Sequence, residues 1–289
     1  MQKITPFKFS LLPGDLINFL PGVKHICEAT KTKAALFLGL NIEWAMSEPV
    51  SRGRASNITL TEKHLEMFRP LLLNQSYIAS VDSLEKKNPD LYNQWCEAFK
   101  TAADYQSAAK WYSEHDEMID LDKQHLIPCN IPYGNIFRWQ FYAYPEMSCD
   151  LSKPWLSVPV NDSVPDKTIV INRTERSRNE IINYKFLFDY KDRIVFAGSY
   201  QEWLRFRQDT GFEVAFFEAK DFLELAIAIR SCKFFIGNQS LCFSLAEAMK
   251  VPRILETCPY LPNVIPCGEK AYDFYNNSCF QMLVKMLDR

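Results

Sequence analysis

Between residues 168 and 256, short runs of branched and aromatic side chains alternate with helix-like stretches, and this alternation constrains the fold more than any other feature. The runs are Thr168–Arg173 (TIVINR), Arg193–Gly198 (RIVFAG), Glu213–Glu218 (EVAFFE), Lys233–Gly237 (KFFIG) and Pro252–Glu256 (PRILE). Between them lie Ile182–Tyr190, Gln201–Gln208, Asp221–Ser231 and Leu241–Lys250. Short apolar strands separated by helices of 8–12 residues predict βαβ units on a parallel sheet. Strands covered on both faces need not alternate apolar with polar.

The first half carries the same rhythm more loosely. Strands are expected at Phe7–Leu12, Ala34–Leu40, Tyr77–Val81 and Met118–Leu121. Helices are expected at Leu16–Thr30, where Pro21 and Gly22 weaken the first turns, at Thr61–Asn74 with Thr61 as N-cap, and within Leu91–Lys110. The aromatic stretch Gly134–Tyr144 also reads as helix; its Phe137–Tyr144 face suits either stacking on a sugar ring or packing. Asn277–Arg289 reads as an amphipathic closing helix. Prolines cluster from Pro128 to Pro165, which sets a domain boundary near 150–165. The expected fold class is α/β, with two Rossmann-like domains, 1–155 and 156–289, whose parallel sheets face an interdomain cleft.

Composition narrows the function. At 289 residues and 47% hydrophobic, the chain can build sizeable cores. A net charge of −2 disfavours a nucleic-acid partner, whose site would be basic overall. Nine Cys without a C-x-x-C and four scattered His match no zinc pattern. They read as reduced thiols, and with no signal-peptide pattern or long apolar run the expected location is cytoplasmic. Peripheral membrane contact stays open.

Chemistry in open α/β sheets belongs just after the strands. Pro13-Gly14-Asp15 follows the first strand. Gly14 allows a tight turn, and Asp15 is either a helix N-cap or a carboxylate able to accept a proton from a hydroxyl. Arg173, Arg176 and Arg178 follow Thr168–Asn172. They form either a phosphate-binding loop or a solvated one neutralised by Glu175 and Glu180. Asn238, Gln239 and Ser240 deliver the chain to Leu241 at a helix start, where free N–H groups and the macrodipole favour an anion, as at any such junction. Glu247 shares a helical face with Ser240 and is either an outer-face carboxylate or a ligand for a ribose. Asp120-Leu121-Asp122 is a D-x-D, a pattern that can hold a divalent cation but more simply marks two solvated acids. No metal or cofactor is expected.

These stretches resemble a known family. GDLINFLPGVKHI (14–26) resembles the G-D-x-x-x-x-x-P-x-x-x-x-[IL] element of the bacterial lipopolysaccharide heptosyltransferases, glycosyltransferase family 9. GNQSLCFSLAEAMKVPRI (237–254) resembles that family's G-T-D-S-G-x-x-H-L-A-A-A-L-G-V-P-x-x, matching at Gly237, Ser240, Leu245, Ala246, Ala248, Val251 and Pro252. Gln239, Leu241 and Ser244 stand where the family has Asp, Gly and His, and Glu247 replaces an Ala. The resemblance implies a GT-B fold and a metal-independent, inverting glycosyltransferase. It implies Asp15 as catalytic base and a nucleotide-sugar diphosphate held by Asn238, Gln239, Ser240 and Leu241. Arg173 and Arg176 fall where the family places a phosphate-contacting cation, and Glu247 where other GT-B enzymes contact the donor ribose. The acceptor would be a glycan or another hydroxyl. Two rivals are a catalytically inactive scaffold that binds a glycan or protein, and a sugar-nucleotide epimerase or hydrolase.

Overall fold

Branched runs in both halves become parallel strands in a computed structural model that describes residues 2–42, 59–84, 118–126, 134–161 and 168–289. The chain divides into two units, Met1–Asp150 and Leu151–Arg289. The expected helix within Leu91–Lys110 lies outside the described residues.

In the first unit the elements are β1 (Ile4–Phe9), α1 (Pro13–Thr30), β2 (Lys33–Leu38), α2 (Glu62–Leu73), β3 (Ile78–Ser83) and β4 (Ile119–Asp120), followed by α3 (Ile136–Ala143). The sheet order is β3-β2-β1-β4, with every pairing parallel. β1 ends earlier than the sequence suggested because Pro13 opens the next helix. Proline has no N–H to lose at that position, and its φ is already helical. Thr61 caps α2 as expected, accepting from the His64 amide while His64 Nδ1 accepts from the Thr61 amide at 3.1 Å.

Pro21 and Gly22 do not interrupt α1; they receive a neighbour. The Gln140 side chain of α3 accepts from the Gly22 N–H at 3.0 Å and donates to the Asn18 carbonyl at 3.3 Å. A Cβ at position 22 would lie 2.2 Å from Gln140 Oε1 and 2.9 Å from Met147 Cβ. The glycine is thus fixed by close approach. Phe137 and Trp139 of α3 are buried, so its aromatic character serves packing, and Tyr142 is left exposed.

The second unit contains β5 (Ile169–Asn172), β6 (Ile194–Ala197), α4 (Tyr200–Thr210), β7 (Ala215–Phe217), α5 (Phe222–Arg230), β8 (Phe234–Asn238), α6 (Leu241–Met249), β9 (Arg253–Glu256), β10 (Ala271–Phe274) and α7 (Asn277–Asp288). The order is β10-β9-β8-β5-β6-β7, again parallel throughout. The central strands β5 and β8 are buried along their whole length. The stretch expected as helix at Ile182–Tyr190 forms a 3₁₀ segment, Lys185–Arg193. Tyr184, Leu187 and Tyr190 recur every third residue, which suits three residues per turn; Tyr184 and Leu187 are buried and Tyr190 packs against the same core. That core includes Phe280 of α7, stacked on Phe274 with centroids 4.1 Å apart. β10 was not expected, because of its residues only Phe274 is buried and no apolar run marks it.

Candidate active site

Each sheet has a place where the chain reverses direction across it. The first unit runs from β1 outward through β2 to β3, then returns as β4 on the other side of β1. The second runs from β5 through β6 to β7, then returns as β8 on the other side of β5. Crevices outside the carboxyl ends of the strands at such points are where α/β sheets take ligands.

In the second unit the crevice brings together the two stretches singled out from the sequence. Asn238, the last residue of β8, is fully buried and grips the loop after β5. Its Oδ1 accepts from the Thr174 N–H and its Nδ2 donates to the Thr174 carbonyl, both at 2.8 Å. Gly237 permits the approach, since a Cβ there would lie 2.7 Å from the Asn172 carbonyl and 2.8 Å from the Phe235 ring. Asn238 is therefore a loop fastener.

The three arginines of that loop divide. Arg173 is buried and makes a two-pronged ion pair with Glu256 at the end of β9, Nε to Oε2 at 2.8 Å and Nη2 to Oε1 at 3.0 Å. Its Nη2 also donates to the Asn179 and Ile182 carbonyls, and the guanidinium lies 4.5 Å from the Tyr184 ring centroid. Burial works against its charge, but Glu256 outweighs that and holds the group above the ordinary Arg value. Arg173 thus faces a carboxylate inside the fold, which corrects its expected place on a phosphate. Arg178 is also buried, pairing with Glu175 at 3.0 Å and with Asp209. Arg176 is half-buried and makes no ion pair or hydrogen bond among the described residues. It is the loop's remaining cation.

At the start of α6, Ser240 is the N-cap, its Oγ accepting from the Phe243 amide at 3.2 Å. Helix geometry leaves the earlier amides, those of Leu241 and Cys242, without intrahelical partners. Gln239 donates from Nε2 to Asn263 Oδ1 at 2.8 Å, a neutral amide pair. Leu241 is the first helical residue, partly exposed. Glu247 corrects both sequence readings: it is 0% exposed, neither on the outer face nor open to a ribose. Its Oε1 accepts from Lys250 and from the Cys267 amide, and its Oε2 from Arg253. Burial pulls the Lys250 ammonium below the usual Lys value, with Glu247 opposing.

In the first unit Asp15 is the third residue of α1, partly exposed, in the first turn of the helix that follows β1. It is not the N-cap; Leu12 is. Gly14, the second helical residue, takes no left-handed conformation and makes no tight turn; the chain bends instead at Leu11, between β1 and α1. Across the crevice, at β4, stands the D-x-D. Both acids are buried rather than solvated. Lys8 holds Asp120 at 3.0 Å, and Ser10 meets both oxygens of Asp122. Burial raises the Asp120 carboxyl despite Lys8, and burial together with the neighbouring Asp120 pushes Asp122 well above the ordinary carboxylate value. Among the described residues no group of three or more His, Cys, Asp or Glu side chains is placed to hold a metal ion. Nor, among them, is any helix long and apolar enough to cross a membrane.

Thr174, Glu256, Asn263 and Ser10 escaped the sequence reading. Only Lys8 left a signal for this network, as a charge inside the apolar run FKF.

A scan of protein-family models finds no match to the chain, and a comparison with curated proteins finds none either. Solved structures do match. The chain is similar to the ADP-heptose lipopolysaccharide heptosyltransferase II of E. coli, with a TM-score of 0.62 at 11% identity over 99% of this chain and 98% of that one. It is similar to a glycosyltransferase family 9 protein of Veillonella parvula, with a TM-score of 0.59 at 13% identity, covering 98% of this chain and 89% of that one. A third is the iron-containing heptosyltransferase TibC of enterotoxigenic E. coli, in complex with ADP-D-beta-D-heptose. There the TM-score is 0.51 at 14% identity over 96% of this chain and 64% of that one. The likeness is one of fold, and the fold is GT-B.

Proposed function

We propose that the chain is an inverting glycosyltransferase that moves a sugar from a nucleoside-diphosphate donor to an acceptor hydroxyl. The observation that carries this is the joining of Thr174 to Asn238, which sets the Arg176 loop beside the start of α6 at the carboxyl edge of a GT-B sheet. Helix-start amides without intrahelical partners and a guanidinium that makes no ion pair among the described residues are the groups that stabilise a departing diphosphate. The acceptor oxygen attacks the anomeric carbon as the bond from that carbon to the diphosphate breaks. Asp15 takes the hydroxyl proton. Arg173 acts indirectly, by holding the loop that carries Arg176.

The ADP-heptose in the names of two similar structures makes it the first donor to try, ahead of other nucleotide-sugars. Metal independence belongs to the proposal, supported by the D-x-D carboxylates being engaged by Lys8 and Ser10. Calorimetry against a nucleotide-sugar panel, then a transfer assay with the donor that binds, tests the reading. Asp15→Asn is expected to abolish transfer and keep donor affinity, and EDTA to leave the rate unchanged. Full activity of Asp15→Asn, or retained anomeric configuration in the product, would overturn the mechanism.

A second reading, a binding scaffold without catalysis, is favoured by one observation. The Gln239–Asn263 pair is neutral where the resembling family has an acid. A panel in which no nucleotide-sugar binds supports the scaffold; turnover without an acceptor points instead to a hydrolase or epimerase.

A further inference from the structure

Every described α-helix but one begins on a capping side chain. Thr61, Asn135, Ser199, Asp221, Ser240 and Asn276 each accept a hydrogen bond from a first-turn amide of the helix that follows. The exception is α1, whose N-cap Leu12 has no side chain able to do so. Yet α1 is the helix that carries Asp15.

The start of α1 is held from outside instead. Ser10, the first residue past β1, is 1% exposed, and each of its three polar groups meets a side chain from elsewhere in the unit. Its N–H donates to Asp122 Oδ1 at 3.0 Å, its hydroxyl bonds Asp122 Oδ2, and its carbonyl accepts from Thr59 Oγ1 at 2.5 Å. Asp122 is itself fixed, its amide donating to Asp120 Oδ1 at 3.0 Å. Asp120 is tied to Lys8 at 3.0 Å, and its backbone N–H and carbonyl both bond the Tyr144 hydroxyl, at 3.2 and 3.1 Å. From Ser10 the chain passes through buried Leu11 to Leu12, whose carbonyl accepts from the Asp15 amide at 3.0 Å and the Leu16 amide at 3.2 Å. Little slack separates the clamp from the carboxylate.

We propose that Asp122 and Ser10 are positioning residues for Asp15, a clamp that replaces the missing helix cap and sets where the base stands. The proposal rests on the reading of Asp15 as base. A buried acid pair of which only Asp120 meets a lysine is a costly way to hold a turn merely for stability, since polar and charged groups taken out of water oppose folding unless fully paired. A turn that must hold a reacting group still has a use for it, because small misplacements of such groups cost rate steeply.

The test compares the full-length wild type with Ser10→Ala, Asp122→Ala and Asp122→Asn. Amide hydrogen exchange of residues 10–16 is expected to rise about tenfold in Ser10→Ala and Asp122→Ala, with β2 unchanged. Asp122→Asn keeps an acceptor for the Ser10 N–H and is expected to recover most of the protection. The titration of the Asp15 carboxyl, followed by carbon-13 NMR, is expected to differ from wild type in the two alanine variants. Exchange that rises evenly across β1, β2 and α1, or an Asp15 titration that does not move, would overturn the proposal. Ser10→Ala removes a single hydroxyl, so the comparison survives an Asp122→Ala chain that fails to fold. Neither measurement involves substrate, so the base assignment stands or falls separately, on the turnover of Asp15→Asn.

Discussion

Asn238 holds Thr174 by both ends of its backbone, taking the N–H on Oδ1 and giving Nδ2 to the carbonyl, each at 2.8 Å. One side chain thereby joins the ends of two neighbouring strands. In Asn238→Ala both Thr174 groups lose their partner, at an expected cost of about 2 kcal/mol in urea unfolding. Asn238→Asp is expected to do no better, because the carboxylate keeps the acceptor but opposes the Thr174 carbonyl. Wild-type stability in either variant would refute the fastener role.

Arg173 and Arg176 are expected to separate cleanly. Arg173→Ala strands Glu256 in the interior, a change that costs about 3–5 kcal/mol when a buried pair is broken from one side. Arg176→Ala should leave unfolding within about 0.5 kcal/mol of wild type, as surface changes do. It should weaken ADP binding about tenfold by calorimetry, or about 1.4 kcal/mol. Equal ADP affinity in wild type and Arg176→Ala would place the phosphate elsewhere.

Gly22→Ala reverses a familiar sign. Alanine in place of glycine inside a helix normally helps by about 1 kcal/mol. Here the added methyl meets Gln140 Oε1 at 2.2 Å and Met147 Cβ at 2.9 Å, so overpacking should destabilise by about 1–3 kcal/mol. Combining it with Gln140→Ala should recover part of that loss, a coupling that a double-mutant cycle in urea measures directly.

The pH dependence of stability should change in Asp122→Asn. Burial holds the Asp122 carboxyl well above its usual 3.8, so the folded chain keeps that proton when the unfolded chain has already released it. Stability contributed by such a group is present at low pH and falls as pH rises above 3.8 toward the folded value. Asp120, also raised, adds to the same slope. Asparagine removes the Asp122 share, so unfolding free energy measured upward from about pH 4 should decline less in the variant than in wild type. Parallel profiles would contradict this account.

Much of the fold was legible because strand runs and helix periods are local. TIVIN, KFFIG and the Pro252 run gave β5, β8 and β9 nearly as found, and the step from Gly237 into α6 could be read directly. What escaped depends on partners far along the chain. Nothing near Arg173 announces Glu256, 83 residues on, so a cationic loop and a buried ion pair look alike in sequence. Periodicity placed Glu247 on a shared face with Ser240 but cannot say which face is inward. The D-x-D read as solvated because Lys8 and Ser10, more than a hundred residues earlier, are what make its burial tolerable. Pro13 misled differently: its fixed φ moved the helix start ahead of Asp15, leaving Gly14 with no turn to make.

The insertion of Gln140 beside Gly22 spans 118 residues. A chain emerging from the ribosome meets that distance as time. At roughly 5–20 residues per second, α1 waits several seconds or more between its own synthesis and the arrival of Gln140. Met147, the other neighbour of Gly22, comes later still. α1 is thus completed only by a segment that stands near the end of its own unit.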